Sequence, residues 1–320
     1  VADEGSVVMR PQLFHRAAPP PTVTILDLDG SALEQAPVLA RLHAGSATTL
    51  EMRDLGRALR LWAWKPDFEA FKARLPAPAD APEIFLLGSG DYHHLTAALL
   101  ERRGEPLTVV HFDNHPDWAW TFPRRHCGSW VNAVLAMPHV VRVVTIGCCS
   151  GDLANLDKAG CNLRALRSGR LEIHPWYHSP TELSDPAKPI PGHVVEHGRL
   201  HWRNMVNEDW DLAIREIFEA IPTKSVWLTI DKDVLAPEHA ATNWDQGALP
   251  LAFLERAISR LAIERRMAGV DICGDYSPAQ HRHPMKWTES LLDQPRRPPA
   301  STAINAVVNA RLLDLLEHVL

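Results

Sequence analysis

Apolar positions along the chain fall into short runs rich in β-branched residues and leucine, separated by stretches in which they recur every three to four residues. The runs Val23–Leu28, Glu83–Leu87, Leu107–Asp113, Val140–Ile146, Ser225–Asp231 and Met267–Cys273 read as strands. Their nearly unbroken apolar character suits strands covered on both faces. The helical period predicts helices over Thr49–Ala63, Asp67–Leu75, His94–Arg103, Ser129–Ala136, Glu208–Ala220, Leu249–Arg265 and Thr302–Val319. Strands and helices that alternate in this way predict an α/β protein, a three-layer α/β/α sandwich around a mainly parallel sheet. Proline clusters at 19–21, 76–82 and 293–299 read as loops, because composition does not shift across them. The stretch 169–207, rich in His, Pro and Gly, reads as a long surface loop or a substrate-facing insertion. Residues 1–22 are expected to form an N-terminal extension, and residues 23–320 a single domain.

Composition narrows the function classes. With 46% apolar and 22% charged residues the chain is globular rather than disordered. A net charge of −6, from 33 basic and 39 acidic residues, supplies no general attraction for nucleic acid or anionic lipid. Neither is expected as a partner. Five cysteines, an odd number without paired spacing, read as free thiols in a reducing compartment. With no apolar run long enough to span a bilayer and no signal-peptide pattern, the expected location is the cytoplasm. Beside the acidic excess stand 17 histidines, and imidazole and carboxylate are ligands for divalent metals.

Three segments concentrate that chemistry. The run His111-Phe112-Asp113-Asn114-His115-Pro116-Asp117 ends a predicted strand, and residues two apart in extended chain share a side, so Asp113, His115 and Asp117 are expected to converge. Asp231 and Asp233 end another predicted strand at the same spacing. Parallel strands deliver their C-terminal ends to one sheet edge, where the two acid sets can meet. Carboxylates crowded this closely repel unless a cation neutralises them, which points to metal. The third segment, Gly88-Ser89-Gly90-Asp91-Tyr92-His93-His94-Leu95-Thr96, turns a strand into a helix. Its adjacent histidines diverge, so one of the two is the expected ligand.

The order and spacing of these segments resemble the arginase and agmatinase (ureohydrolase) superfamily over residues 80 to 320. The resemblance extends to Asp231-Lys232-Asp233-Val234-Leu235-Ala236-Pro237, to the loop Thr242-Asn243-Trp244-Asp245-Gln246-Gly247-Ala248-Leu249, and to Val270-Asp271-Ile272-Cys273-Gly274-Asp275-Tyr276-Ser277-Pro278. It implies an arginase-like fold and a site for two Mn2+ ions, or other divalent metals. His93, Asp113, Asp117 and Asp231 would hold one ion and His115, Asp113, Asp231 and Asp233 the other. It further implies His126, in Arg125-His126-Cys127-Gly128-Ser129, as a proton shuttle. Asp275, or Gly274 with one residue of slack, falls where the family's guanidinium-binding glutamate stands. Asn243 is an expected substrate contact.

Two departures shape the expected substrate. Trp118-Ala119-Trp120-Thr121-Phe122-Pro123-Arg124-Arg125 replaces the family's recognition stretch for free arginine, and Ala236 replaces an aspartate. These features resemble the atypical branch that includes peptide arginases, which convert arginine to ornithine within a ribosomal peptide. The expected partner is therefore an arginine-containing peptide, or else a small guanidino compound, with Trp118, Trp120 and Trp130 as candidate walls of an open entrance. A homo-oligomer is compatible with the sequence. The competing readings are a dehalogenase-type phosphatase built on Asp27 and Asp29, a single-zinc hydrolase of the deacetylase type, and a non-catalytic peptide-binding module.

Overall fold

In the computed structural model, which describes residues 21–156, 160–279, 281–295, 299 and 301–320, the chain alternates strands and helices almost throughout. Residues 1–20 of the expected extension lie outside the described residues, as do parts of the 293–299 proline cluster. In chain order the strands are β1 (Thr22–Asp27), β2 (Ala47–Glu51), β3 (Glu83–Leu86), β4 (Leu107–Phe112), β5 (Val140–Ile146), β6 (Leu171–His174), β7 (Thr181–Glu182), β8 (Val194–Glu196), β9 (Arg199–His201), β10 (Ser225–Asp231) and β11 (Arg266–Cys273). The helices are α1 (Ala36–His43), α2 (Arg53–Leu59), α3 (Lys65–Arg74), α4 (Thr96–Glu101), α5 (Trp130–Leu135), α6 (Leu163–Arg167), α7 (Trp210–Glu219), α8 (Leu251–Glu264), α9 (Pro284–Asp293) and α10 (Ala303–Val319).

Eight strands form one parallel sheet in the order β2-β1-β3-β11-β10-β4-β5-β6. The chain winds outward to β2, returns through β3, and later inserts β10 and β11 between β3 and β4. The C-terminal ends of β3, β11, β10 and β4 therefore lie side by side at the place where strand order reverses, where open parallel sheets form clefts. Helices cover both faces. Val226, Leu228 and Ile230 of β10 pack with Val110 and Phe112 of β4 against α7, α8 and α10. Trp227 and Val109 face the opposite layer, with α3, α4 and α5.

That second face carries a buried polar row. Thr145, His111, Thr229 and Asp271 stand in register on β5, β4, β10 and β11. All four are inaccessible to solvent. Burial of such groups is tolerated only when they are hydrogen-bonded, and their bonds underlie the site described below.

Three parts of the fold differ from the sequence expectation. The helix expected over Thr49–Ala63 is edge strand β2 followed by α2, because Thr48, Thr49 and Leu50 pair in register with β1. The stretch 169–207 contains β6 and a small antiparallel sheet ordered β7-β9-β8, elements too short to give a period. Helices α1, α6 and α9 were not expected. For α9 a signal existed, since His283 caps Met285 N–H and Pro284 occupies the first helical turn. Among the described residues no helix is long and apolar enough to cross a membrane.

Gly269 leaves room for the Trp227 ring on the adjacent strand; a Cβ there would lie 2.3 Å from the indole. Gly269→Ala should cost about 1–3 kcal/mol through overpacking. A shift in the urea unfolding midpoint checks this, and an unchanged midpoint would contradict it.

Candidate metal centre

β4 ends at Phe112 and β10 at Asp231, so both acid sets emerge at the same edge. Asp113, His115 and Asp117 converge, though not by strand alternation. The chain leaves extended geometry after Phe112; His115 N–H donates to Asp113 Oδ1 at 2.6 Å, and Asp117 takes a left-handed backbone with φ 46°. That conformation is uncommon for a residue with a Cβ and is sustained only by its surroundings. Here Trp130 Nε1–H donates to Asp117 Oδ2 at 2.5 Å, and Val131 N–H to the Asp117 carbonyl. Asp233 N–H donates to Asp231 Oδ1, and Asn114 N–H to Asp233 Oδ1, locking the two loops together. Asp231 sits in a cradle of glycines: a Cβ at Gly90 would approach Oδ2 to 2.5 Å, and one at Gly274 would approach Oδ1 to 2.4 Å.

His93 is the centre of this arrangement. Its Nδ1 lies 3.0 Å from Asp113 Oδ2, 3.3 Å from Asp117 Oδ2 and 3.6 Å from Asp231 Oδ2, yet makes no hydrogen bond. Its Nε2 meets Thr229 Oγ1 at 2.9 Å. That hydroxyl donates to Asp271, so Nε2 carries the proton and Nδ1 presents its lone pair to three carboxylates. Lone pairs facing one another call for a cation between them. The second imidazole repeats the pattern: His115 Nδ1 lies 3.0 Å from Asp233 and 3.5 Å from Asp113, while Nε2 contacts Asp245 at 3.0 Å. Outer hydrogen bonds that fix ring tautomer and orientation are the usual support of metal-binding histidines.

Electrostatics agree with that geometry. Burial raises Asp117, Asp231 and Asp233, the charge of Asp113 raises them further, and Asp117 reaches about 6. Burial also acts to raise Asp113, but hydrogen bonds from His111 and His115, with the His93 imidazole close beside it, hold it well below the usual carboxylate range. Burial would lower His93 and His115, but the surrounding acidic groups raise both: Cys273, Asp113 and Asp117 around His93, Asp233 and Asp113 around His115. The cluster thus binds positive charge, as protons or as metal. Its donor set of imidazole nitrogens and carboxylate oxygens fits divalent ions.

The cluster floors a cleft of about 350 Å3 whose walls include Thr121, His126, Asp152, Trp244, Asp245 and Asp293. His126 accepts Gly128 N–H at Nδ1 and contacts Glu289 Oε1 through Nε2; Trp62 Nε1–H holds the other Glu289 oxygen at 2.8 Å. Burial would raise Glu289, but these two hydrogen bonds keep its carboxyl below the usual range. The sequence reading missed Glu289, Asp293, Asp245 and His111. His111 Nε2 supports Asp113 Oδ2 at 2.9 Å, and Asp245 reaches His115 Nε2 from a loop whose sequence carries no ligand spacing.

Several expected residues lie elsewhere. Asp275 is sealed in an ion pair with Lys232, which is fully buried between Asp231 and Asp233 just past the end of β10 and also donates to Asn309. Asp275 does not line the cleft. Gly274 has no side chain and serves Asp231 instead. Asn243 is buried too, joining Ser89, Ser277 N–H and the Ser277 carbonyl. Trp118 is only 2% exposed and belongs to the core; Trp130 is buried against His93 and His111, with ring centroids 4.8 and 5.0 Å away. Trp120, at 59% exposure, is the tryptophan of the expected entrance that reaches solvent. It lines an apolar groove of about 200 Å3 that shares Ala119 and Thr121 with the cleft. Asp27 pairs with Arg53, and Asp29 accepts from the Ser31 and Ser277 hydroxyls, so neither joins the cluster that a phosphatase reading would require.

Asp275→Asn would leave the Lys232 charge buried without its partner, and should cost about 3–5 kcal/mol in chemical denaturation. A loss below about 1 kcal/mol would contradict the pairing. Metal must displace protons from groups such as Asp117, which ionises near 6. Added Mn2+ should therefore raise the melting temperature more at pH 7.5 than at pH 5. An equal or larger rise at pH 5 would contradict this.

No protein-family model matches the chain. An uncharacterized protein of Thermotoga maritima is 26% identical over 197 residues, a match spanning 62% of this chain and 60% of that protein. Among solved structures, the arginase from Bacillus subtilis superposes with a TM-score of 0.60 at 13% identity, covering 93% of this chain and 98% of that one. Proclavaminate amidino hydrolase from Streptomyces clavuligerus gives 0.58 at 14% identity, covering 94% and 91%. A hypothetical agmatinase from Burkholderia thailandensis gives 0.54 at 15% identity, covering 93% and 86%. The chain therefore has the arginase-like α/β fold, the fold of the ureohydrolases.

Proposed function

We propose that the protein is a divalent-metal-dependent hydrolase that cleaves a guanidino C–N bond to give urea and an amine. We further propose Mn2+ as its ion and an arginine residue within a peptide, converted to ornithine, as its preferred substrate. The observation that carries the reading is His93 Nδ1, buried and without a hydrogen bond, facing three carboxylates on the floor of a cleft in an arginase-like sheet. The names of the three solved neighbours, an arginase, an agmatinase and an amidino hydrolase, share amidine or guanidine C–N hydrolysis.

His93, Asp113, Asp117 and Asp231 would hold one ion, and His115, Asp113, Asp231 and Asp233 the other. When bound, the ions supply positive charge and a water acidified enough to deliver hydroxide near neutral pH. The chain supplies the rest. Thr229, Asp271, His111 and Asp245 fix the ligating rings and carboxylates, so that little reorganisation accompanies reaction. The departing amine needs a proton, and His126 on the cleft wall holds one at Nε2 against Glu289. For the peptide, the support is the Trp120 groove, which adjoins the cleft at Ala119 and Thr121. Trp120 and Phe122 stand exposed beside Thr121, an apolar surface for residues flanking an arginine.

The manganese-loaded protein should release urea from an arginine-containing peptide faster than from free arginine or agmatine, with a peptide mass loss of about 42 Da. No urea from any of the three would overturn the reading. Asp113→Ala should abolish metal binding and turnover together. His126→Ala should keep the metal and lower kcat by about 10²–10⁴.

A further inference from the structure

We propose that Asp293, presented by α9 at the mouth of the cleft, is the carboxylate that binds the substrate's guanidinium; this rests on the guanidine-hydrolase reading above. With Asp275 buried against Lys232, another acid must receive the cation. The charge count of the site shows which acids are free to do so. Four cluster aspartates against two divalent ions sum to zero formal charge, so the loaded floor retains no net attraction for a cation. Of the other acids lining the cleft, Asp245 is engaged by His115 and Asn114. Asp152 and Asp293 remain. Among the described residues neither Asp152 nor Asp293 forms an ion pair, and Asp293 is the one carried on the same helix as Glu289, the partner of His126. Burial raises the Asp293 carboxyl, and the nearby charges of Glu289 and Asp152 raise it further against a lowering by His126. Its titratable neighbours are two anions and the His126 imidazole, a setting in which a further cation is favoured.

The carrier of Asp293 is firmly placed. Glu289 and Asp293 are four residues apart on α9 and so share a helix face; Glu289 is held by His126 and Trp62. One turn earlier, Lys286 reaches back into the protein, donating to the carbonyls of Arg57, Ala58 and Trp62 with its ammonium 4.4 Å from the Trp62 ring centroid. Immediately after Asp293, Gln294 donates to Asp91 at 2.6 Å. The end of α9 is thus pinned on both sides, which places the exposed Asp293 carboxylate beside the proton-holding pair. A carboxylate in such a position matches the forked donors and the charge of a guanidinium, whereas an ammonium lacks the planar fork and a neutral urea lacks the charge.

The test is calorimetric titration of the manganese-loaded protein with methylguanidinium chloride, with methylurea as the neutral counterpart. Wild type should bind methylguanidinium and not methylurea. Asp293→Asn should weaken that binding about tenfold with metal content unchanged, and Asp293→Glu should recover most of it. In turnover, the asparagine variant should raise KM for the arginine peptide while kcat stays within about threefold. Absence of methylguanidinium binding to wild type, or a change below threefold in Asp293→Asn, overturns the assignment. Binding that depends on Asp293 in a protein that releases no urea supports the assignment and removes the hydrolase reading.

Discussion

Four buried carboxylates gathered around two imidazoles within hydrogen-bond distance are the constraint on which the rest of this structure depends. Unneutralised, they repel one another in a low-dielectric setting, and Asp117, Asp231 and Asp233 are raised by burial first and by the charge of Asp113 second. The fold sustains the arrangement by spending other features on it. Asp117 is held in a left-handed backbone by Trp130, Gly90 and Gly274 leave space for Asp231, and the Asp231-Lys232-Asp233 run points its lysine away into a separate buried pair. A divalent cation would turn this cost into stabilisation.

Beneath the cluster, the polar row across β5, β4, β10 and β11 gives that demand its geometry. Thr145 supports His111, His111 supports Asp113, and Thr229 with Asp271 sets the tautomer of His93. Each bond is modest alone. Buried together in register on four adjacent strands, they leave the ligating atoms few alternative positions. The rigid sheet edge thus acts as the scaffold, while the cleft walls come from loops and from α9.

Legibility in the sequence followed locality. The acids at the ends of β4 and β10 were legible because strand patterns mark where a chain leaves a sheet, and parallel topology brings those ends together. His93 was separable from His94 only by resemblance; in the structure His94 is buried behind the site with neither ring nitrogen hydrogen-bonded. Asp275 was misplaced because linear spacing cannot reveal that Lys232 claims it from the neighbouring strand. Trp118 and Trp120, two apart, would share a side in extended chain, but they lie in a loop that turns one inward and the other outward, which composition does not reveal. Helix α9 escaped notice because Trp287, Leu291 and Leu292 face solvent while Lys286 is buried. That inverts the usual pattern, and Glu289 and Asp293 were missed with the helix.

The central claim is that the carboxylate and imidazole cluster is a binuclear metal centre. Anomalous diffraction at the manganese edge from crystals grown with Mn2+ tests it most directly. The account predicts two peaks at the cluster, one among His93, Asp113, Asp117 and Asp231 and one among His115, Asp113, Asp231 and Asp233. A single peak, or none at these residues, would contradict it.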